Sequence, residues 1–149
     1  MHASVEETVQ ARLILSTHRS ARLRVTLAYR PEDPLAVRMG FPAEFSLDEP
    51  ADGPVPVPGR DAGPDIEWVF ARQLLTAGLE LAAGVGDVHV RPAAGRRTMV
   101  ELRAPEGTAL VRFDTTDLRR FLWRSRLAVP EGEEHLYLDA DRALAELLG

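Results

Sequence analysis

The strongest constraint on this chain is a two-residue rhythm that runs for a few residues at a time, breaks, and resumes. In Val9-Gln10-Ala11-Arg12-Leu13 and in Leu23-Arg24-Val25-Thr26-Leu27, apolar and polar residues alternate. Each run would turn one face to a core and the other to solvent, which is the habit of an extended strand. His18, Arg19 and Ser20 supply a hairpin connection between them. After the turn-forming stretch Arg30-Pro31-Glu32-Asp33-Pro34 the rhythm resumes at Val37, Met39 and Phe41, so an antiparallel meander is expected. A further β-rich run, Ile66 to Phe70, passes into a helical segment over residues 71–77, with Gly78 as its predicted stop.

The second half repeats this plan. Val88 and Val90, then Val100 and Leu102, then Ala109, Val111 and Phe113 alternate with polar neighbours, and Pro105-Glu106-Gly107 makes a turn between the last two runs. Gly84-Val85-Gly86 reads as a turn before the first of them, since no helix N-terminus follows to hold a phosphate. Thr115 or Thr116 is placed to cap a helix whose Leu118, Phe121, Leu122 and Ser125 share one face, with Arg119, Arg120 and Arg124 elsewhere. From Asp139 a terminal Ala/Leu helix is expected, and two uses stay open for it: docking on its own sheet, the favoured one, or forming an oligomer interface. Between Leu47 and Asp65 the pattern lapses into Pro, Gly and acidic residues, the composition of a flexible surface insert. Strands in runs, each run closed by a helix, predict one α+β domain over residues 1–149 with two small antiparallel sheets and packed helices. Their exposed edges and faces predict self-association.

Composition narrows the functions. The chain has no cysteine, which excludes disulfides, thiolate metal sites and cysteine nucleophiles. Its formal net charge of −5 opposes general attraction to phosphate backbones or anionic lipid. Glu6 and Glu7 interrupt any signal-peptide core, and no run reaches the roughly 18 apolar residues of a membrane span. The expected setting is the cytoplasm, without membrane insertion. His2, His18, His89 and His135 lie far apart and outside any ligand spacing, and no nucleophile elbow accompanies the serines. No catalytic residue, metal or cofactor is expected, and the chain does not read as an enzyme. Arg119, Arg120, Arg124 and Arg126, with Phe121 and Trp123 between them, are the best nucleic-acid candidates. Phe121 falls on the apolar face, so single-stranded nucleic acid is the disfavoured partner and Trp123 is left as an anchor for a protein.

The run Glu67-Trp68-Val69-Phe70-Ala71-Arg72-Gln73-Leu74-Leu75-Thr76-Ala77-Gly78-Leu79 resembles the signature of the SsgA/SsgB-like sporulation and cell-division family of actinomycetes. Further blocks agree in order: Asp33-Pro34-Leu35-Ala36-Val37, Gly86-Asp87-Val88-His89-Val90-Arg91-Pro92, Pro105-Glu106-Gly107-Thr108-Ala109-Leu110, and Val129-Pro130-Glu131-Gly132-Glu133-Glu134-His135. The resemblance implies a fold similar to the Whirly single-stranded-DNA-binding proteins, assembled as a trimer. It also implies a non-enzymatic adaptor at division septa that helps to place FtsZ and meets FtsZ or other SsgA-like proteins. Within the matching blocks Trp68, Phe70, Arg72, Gly78 and Gly107 are expected to be scaffold. A recruitment surface is expected at Arg119, Arg120, Trp123 and the turn containing Gly132, Glu134 and His135, because aromatic residues and Arg dominate binding hot spots.

Overall fold

The structure, a computed structural model, describes residues 4–42 and 66–138. The proposed insert at 47–65 and the terminal helix from Asp139 lie outside those residues. The first two runs of alternation become long strands, β1 (Val5–Ser16) and β2 (Arg19–Tyr29). They pair in antiparallel register from Val5↔Tyr29 to Ser16↔Arg19. Val9, Ala11 and Leu13 on one strand and Leu23, Val25 and Leu27 on the other are buried, as period-two burial requires. The connection is tighter than expected: Arg19 already belongs to β2, and a register shift between Ile14 and Ser16 takes up the extra residue.

β3 (Ala36–Phe41) pairs with β2, and β4 (Ile66–Ala71) pairs with β3 from Ala36↔Ala71 to Phe41↔Ile66. The helix α1 (Arg72–Gly78) follows β4 without a loop. Gly78 does not stop it by adopting a left-handed conformation. It is the last helical residue, and a Cβ there would collide with the side chain of Val90, so its use is to let α1 lie close against the sheet. Next come β5 (Ala83–Val85), β6 (Val88–Ala93), β7 (Arg97–Ala104) and β8 (Gly107–Asp114). The expected turn at Gly84-Val85-Gly86 is therefore partly a strand, with Gly86 at φ 61° making the turn into β6. The helix α2 (Thr115–Ala128) completes the pattern.

Two sheets were expected, and one is found. Its eight strands run in the order β4-β3-β2-β1-β8-β7-β6-β5. β1 already carries β2 on one edge, and its other edge pairs with β8 through Ala11↔Phe113, Arg12↔Arg112 and Leu13↔Val111. That join fuses the two meanders. The sheet must also curl, because α1 leaves β4 at one end of the strand order and packs on β5 and β6 at the other. The helices thus sit against the inner face, and α2 lies across β1 and β8. Its Leu118, Phe121, Leu122 and Ser125 are buried as predicted, and the three apolar ones share one core with Phe113, Val25 and Val100. Each fully buried side chain of this kind stabilises by about 1.5–3 kcal/mol. Thr115 does not cap α2: its hydroxyl is buried and bonds Thr98 Oγ1 at 2.8 Å, while Asp114 takes the N-cap position without a side-chain bond.

Candidate functional site

Arg72 is the first residue of α1 and is only 2% exposed. Its Nη1 donates to the Val129 carbonyl at 2.8 Å and to the Ser125 carbonyl and hydroxyl at 3.2 and 3.3 Å. Its Nη2 donates to Glu134 Oε1 at 2.7 Å. The guanidinium carbon sits 4.7 Å from the centre of the Tyr29 ring, and the Arg72 backbone N–H donates to the Leu35 carbonyl at 2.8 Å. The last carbonyls of a helix have no partner within it and carry partial negative charge, so a cation at the end of α2 supplies both donors and charge. One side chain therefore ties together α1, α2, β2 and the turn after α2.

Glu134 belongs to this brace. Its Oε2 accepts the Gly132 N–H at 2.8 Å, and Gly132 holds φ 89°, a conformation that favours glycine. Burial pushes the Glu134 carboxyl up. The hydrogen bonds from Arg72 and from the backbone N–H groups of Glu134 and Gly132, with the Arg72 charge, outweigh that and hold its pKa below the usual carboxylate range. Tyr29, whose hydroxyl donates to the Pro34 carbonyl at 2.9 Å, is pushed by burial up to about 12, against the pull of the Arg72 charge.

The outward face of α2 carries the other predicted residues. Arg119 pairs with Glu80 at 3.1 Å, and Arg120 pairs with Asp117 at 2.9 Å and with Glu7 at 3.3 Å. Arg124 also reaches Glu7, at 3.2 Å, and Arg126 reaches Glu131 at 3.1 Å. Trp123 and Leu127, one helical turn apart, are 58% and 66% exposed. Beyond the helix, His135 is exposed and Leu136 is 54% exposed. The structure thus brings Arg119, Arg120 and Trp123 onto one surface, leaves His135 outside, and turns Glu134 inward. Among the scaffold candidates, Phe70 is buried opposite Val37, Trp68 packs on the core opposite Met39, and Gly107 holds φ 148° at the start of β8.

Sequence reasoning missed Glu7. It lies on the inward-facing row of β1 between Val5 and Val9, and its Oε2 is buried without a hydrogen-bond partner among the described residues. A carboxylate at an inward position of an alternating strand was the available signal. Sequence reasoning also missed that Arg72 would meet residues more than fifty positions away. Among the described residues no three His, Asp or Glu side chains are placed to hold a metal ion, and no helix is long and apolar enough to cross a membrane.

A single curled antiparallel sheet with two packed helices is an architecture shared with a class of actinobacterial proteins of sporulation-linked cell division. The SsgA-like sporulation-specific cell division protein of Thermobifida fusca superposes with a TM-score of 0.77 at 32% identity, over 97% of this chain and 96% of that one. The sporulation-specific cell division protein SsgB of Kineococcus radiotolerans is 42% identical over 116 residues, 73% of this chain and 70% of that protein. SsgB of Streptomyces coelicolor is 33% identical over 151 residues, 99% of this chain and 98% of that protein. The family model described as Streptomyces sporulation and cell division protein, SsgA, matches residues 23–134. The chain belongs to the SsgA family, and its role is in the cell division that accompanies sporulation.

Proposed function

We propose that this protein is a non-enzymatic adaptor of sporulation-linked septation, acting in the cytoplasm at division septa and helping to place the FtsZ ring. The observation that carries this reading is the α2 surface. Trp123 and Leu127 stand exposed on a helix whose opposite face is locked into the core and whose C-terminus is held by Arg72. A rigid helix presenting an aromatic residue beside arginines suits a protein partner, since little side-chain or backbone freedom is lost on docking. Arg119 and Arg120, already oriented by Glu80, Glu7 and Asp117, flank that anchor, and the turn from Gly132 to His135 extends the surface. Within that turn Glu134 acts by holding the backbone shape through Gly132 and Arg72, not by touching the partner. The carboxylates beside the α2 arginines weaken the single-stranded nucleic-acid alternative, because phosphate must compete with them.

The reading includes self-association as a trimer of Whirly-like subunits, with FtsZ or sister SsgA-like proteins as partners. The test is binding of purified FtsZ to immobilised protein, against the triple variant Arg119→Ala, Arg120→Ala, Trp123→Ala. A loss of about thirtyfold or more is expected, corresponding to about 2 kcal/mol at a hot spot. Equal binding by the variant overturns the surface, and absence of binding by the parent protein overturns FtsZ as the direct partner. Light scattering tests the trimer, and a monomeric mass at the binding concentrations rejects it.

A further inference from the structure

The face of the sheet turned away from the helices carries a different arrangement of charge. Arg22 on β2, Arg12 on β1 and Arg112 on β8 stand directly opposite one another, in the pairs Arg12↔Arg22 and Arg12↔Arg112. Arg24 follows two residues along β2, opposite Gln10. Adjacent strands lie about 4.8 Å apart, and like charges placed directly opposite destabilise a sheet. Nothing among the described residues neutralises this row. The Arg12 side chain has one hydrogen bond, from Nη1 to Ser20 Oγ at 3.3 Å, and among the described residues none of Arg12, Arg22, Arg24 and Arg112 has an ion-pair partner. The nearby carboxylate of Asp114 is engaged by Arg97 at 3.0 Å. An open cleft of about 300 Å³ lies between these side chains, lined by Gln10, Arg12, Arg22, Arg97, Arg112 and Asp114.

The contrast with α2 is informative. There Arg119, Arg120, Arg124 and Arg126 each have a carboxylate within 3.3 Å. On the sheet, guanidinium groups stand in register with no carboxylate that close among the described residues, in a chain whose overall charge is −5. We propose that this outer sheet face is a docking surface for an acidic protein segment, whose Asp or Glu side chains enter the cleft between Arg22, Arg12 and Arg112. The planar guanidinium fork takes a carboxylate through two parallel hydrogen bonds, so each incoming carboxylate relieves repulsion within the row as well as gaining donors. Single-stranded nucleic acid fits less well. No aromatic residue is among the described residues that line the cleft, so bases have no stacking platform. This surface is distinct from the α2 face and stands or falls independently of it.

The test uses the 149-residue chain and fluorescence anisotropy of a labelled oligo-glutamate peptide at low salt, with a labelled oligo-thymidine of matched charge as comparison. Two variants remove the same formal charge from different places: Arg12→Ser, Arg22→Ser, Arg112→Ser on the sheet, and Arg119→Ser, Arg120→Ser, Arg124→Ser on α2. The parent protein is expected to bind the peptide more tightly than the oligonucleotide. The sheet variant is expected to lose about tenfold or more in affinity, and the α2 variant less than about twofold. A second sheet variant with Lys at the same three positions, which keeps the charge and loses the fork, is expected to fall between. Equal losses in the two Ser variants would reduce the effect to bulk charge and overturn the proposal. Tighter binding of the oligonucleotide would replace the acidic segment with nucleic acid. A change of molar mass in the sheet variant with peptide binding intact would make the face a contact between copies of the chain, which also overturns it. Circular dichroism of each variant confirms that a loss of binding is not a loss of fold.

Discussion

At the scale of single residues, Arg72 concentrates the consequences. Removing it as Arg72→Ala leaves the Glu134 carboxylate without its cation and strips donors from the Ser125 and Val129 carbonyls. Arg72 is buried and Glu134 part-buried, so breaking this pair costs up to about 3–5 kcal/mol, and chemical denaturation is expected to show a loss approaching that size. Arg72→Lys keeps the charge but cannot reach the same four acceptor atoms without the planar fork, so an intermediate loss is expected. The pH profile should carry two marks of the same cluster. Glu134 is more acidic folded than unfolded, so its stabilising contribution is complete above the ordinary carboxylate pKa and disappears as pH falls through the lower folded value. Tyr29 is less acidic folded than unfolded. Its contribution is complete below pH 10.0 and is lost as pH rises toward about 12, an effect of about 3 kcal/mol. In Tyr29→Phe that alkaline slope should vanish from denaturation curves measured across the range, at the expense of the bond to Pro34. An unchanged slope would show that Tyr29 ionises freely in the folded protein.

Among the elements, the two faces of α2 should separate stability from the proposed partner binding. Trp123→Ala, on the exposed side, is expected to change unfolding free energy by no more than about 0.5 kcal/mol, whereas Phe121→Ala, on the buried side, should cost about 3–5 kcal/mol. A Trp123 variant that unfolds readily would place that ring in the fold and not at an interface. For α1 the limiting feature is proximity to β6. Gly78→Ala gains intrinsic helix propensity but drives a methyl group into Val90, and a net loss of about 1–3 kcal/mol is expected from denaturant titration. These faces explain what the sequence could disclose. Local alternation located the long strands, and the spacing of Leu118, Phe121, Leu122 and Ser125 oriented α2, because both signals are contained within a few residues. β5 escaped because three residues with a glycine at the centre carry no period. The cap at Thr115 was misread because a partner on β7, Thr98, claims its hydroxyl.

For the whole molecule, the decisive contact is the pairing of β1 with β8, about a hundred residues apart in the chain. No short-range pattern encodes it, and so two sheets were inferred where one exists. The candidate site divides the same way. That Arg119, Arg120 and Trp123 fall on one surface was legible because they share one helix, whereas Arg72 with Glu134, and the row Arg22, Arg12 and Arg112, exist only after distant strands and helices meet. Fusion at β1 and β8 should make the halves open together. Native-state amide exchange is expected to be slowest at residues 11–13 and 111–113, with protection equal to the global unfolding free energy. Earlier exchange there than in β2 and β6 would mean that the halves separate before the protein unfolds.

The two terminal strands of the sheet, β4 and β5, are not hydrogen-bonded to each other, and α1 bridges the interval between them. A fully closed barrel has its girth set by strand number and stagger. Here packed side chains of α1, and not ladder bonds, span the interval, so enlarging or trimming the inner side chains of α1 is expected to widen or narrow the body with the strand pairings kept. The fold thus possesses an adjustable clasp where its ladder is left open.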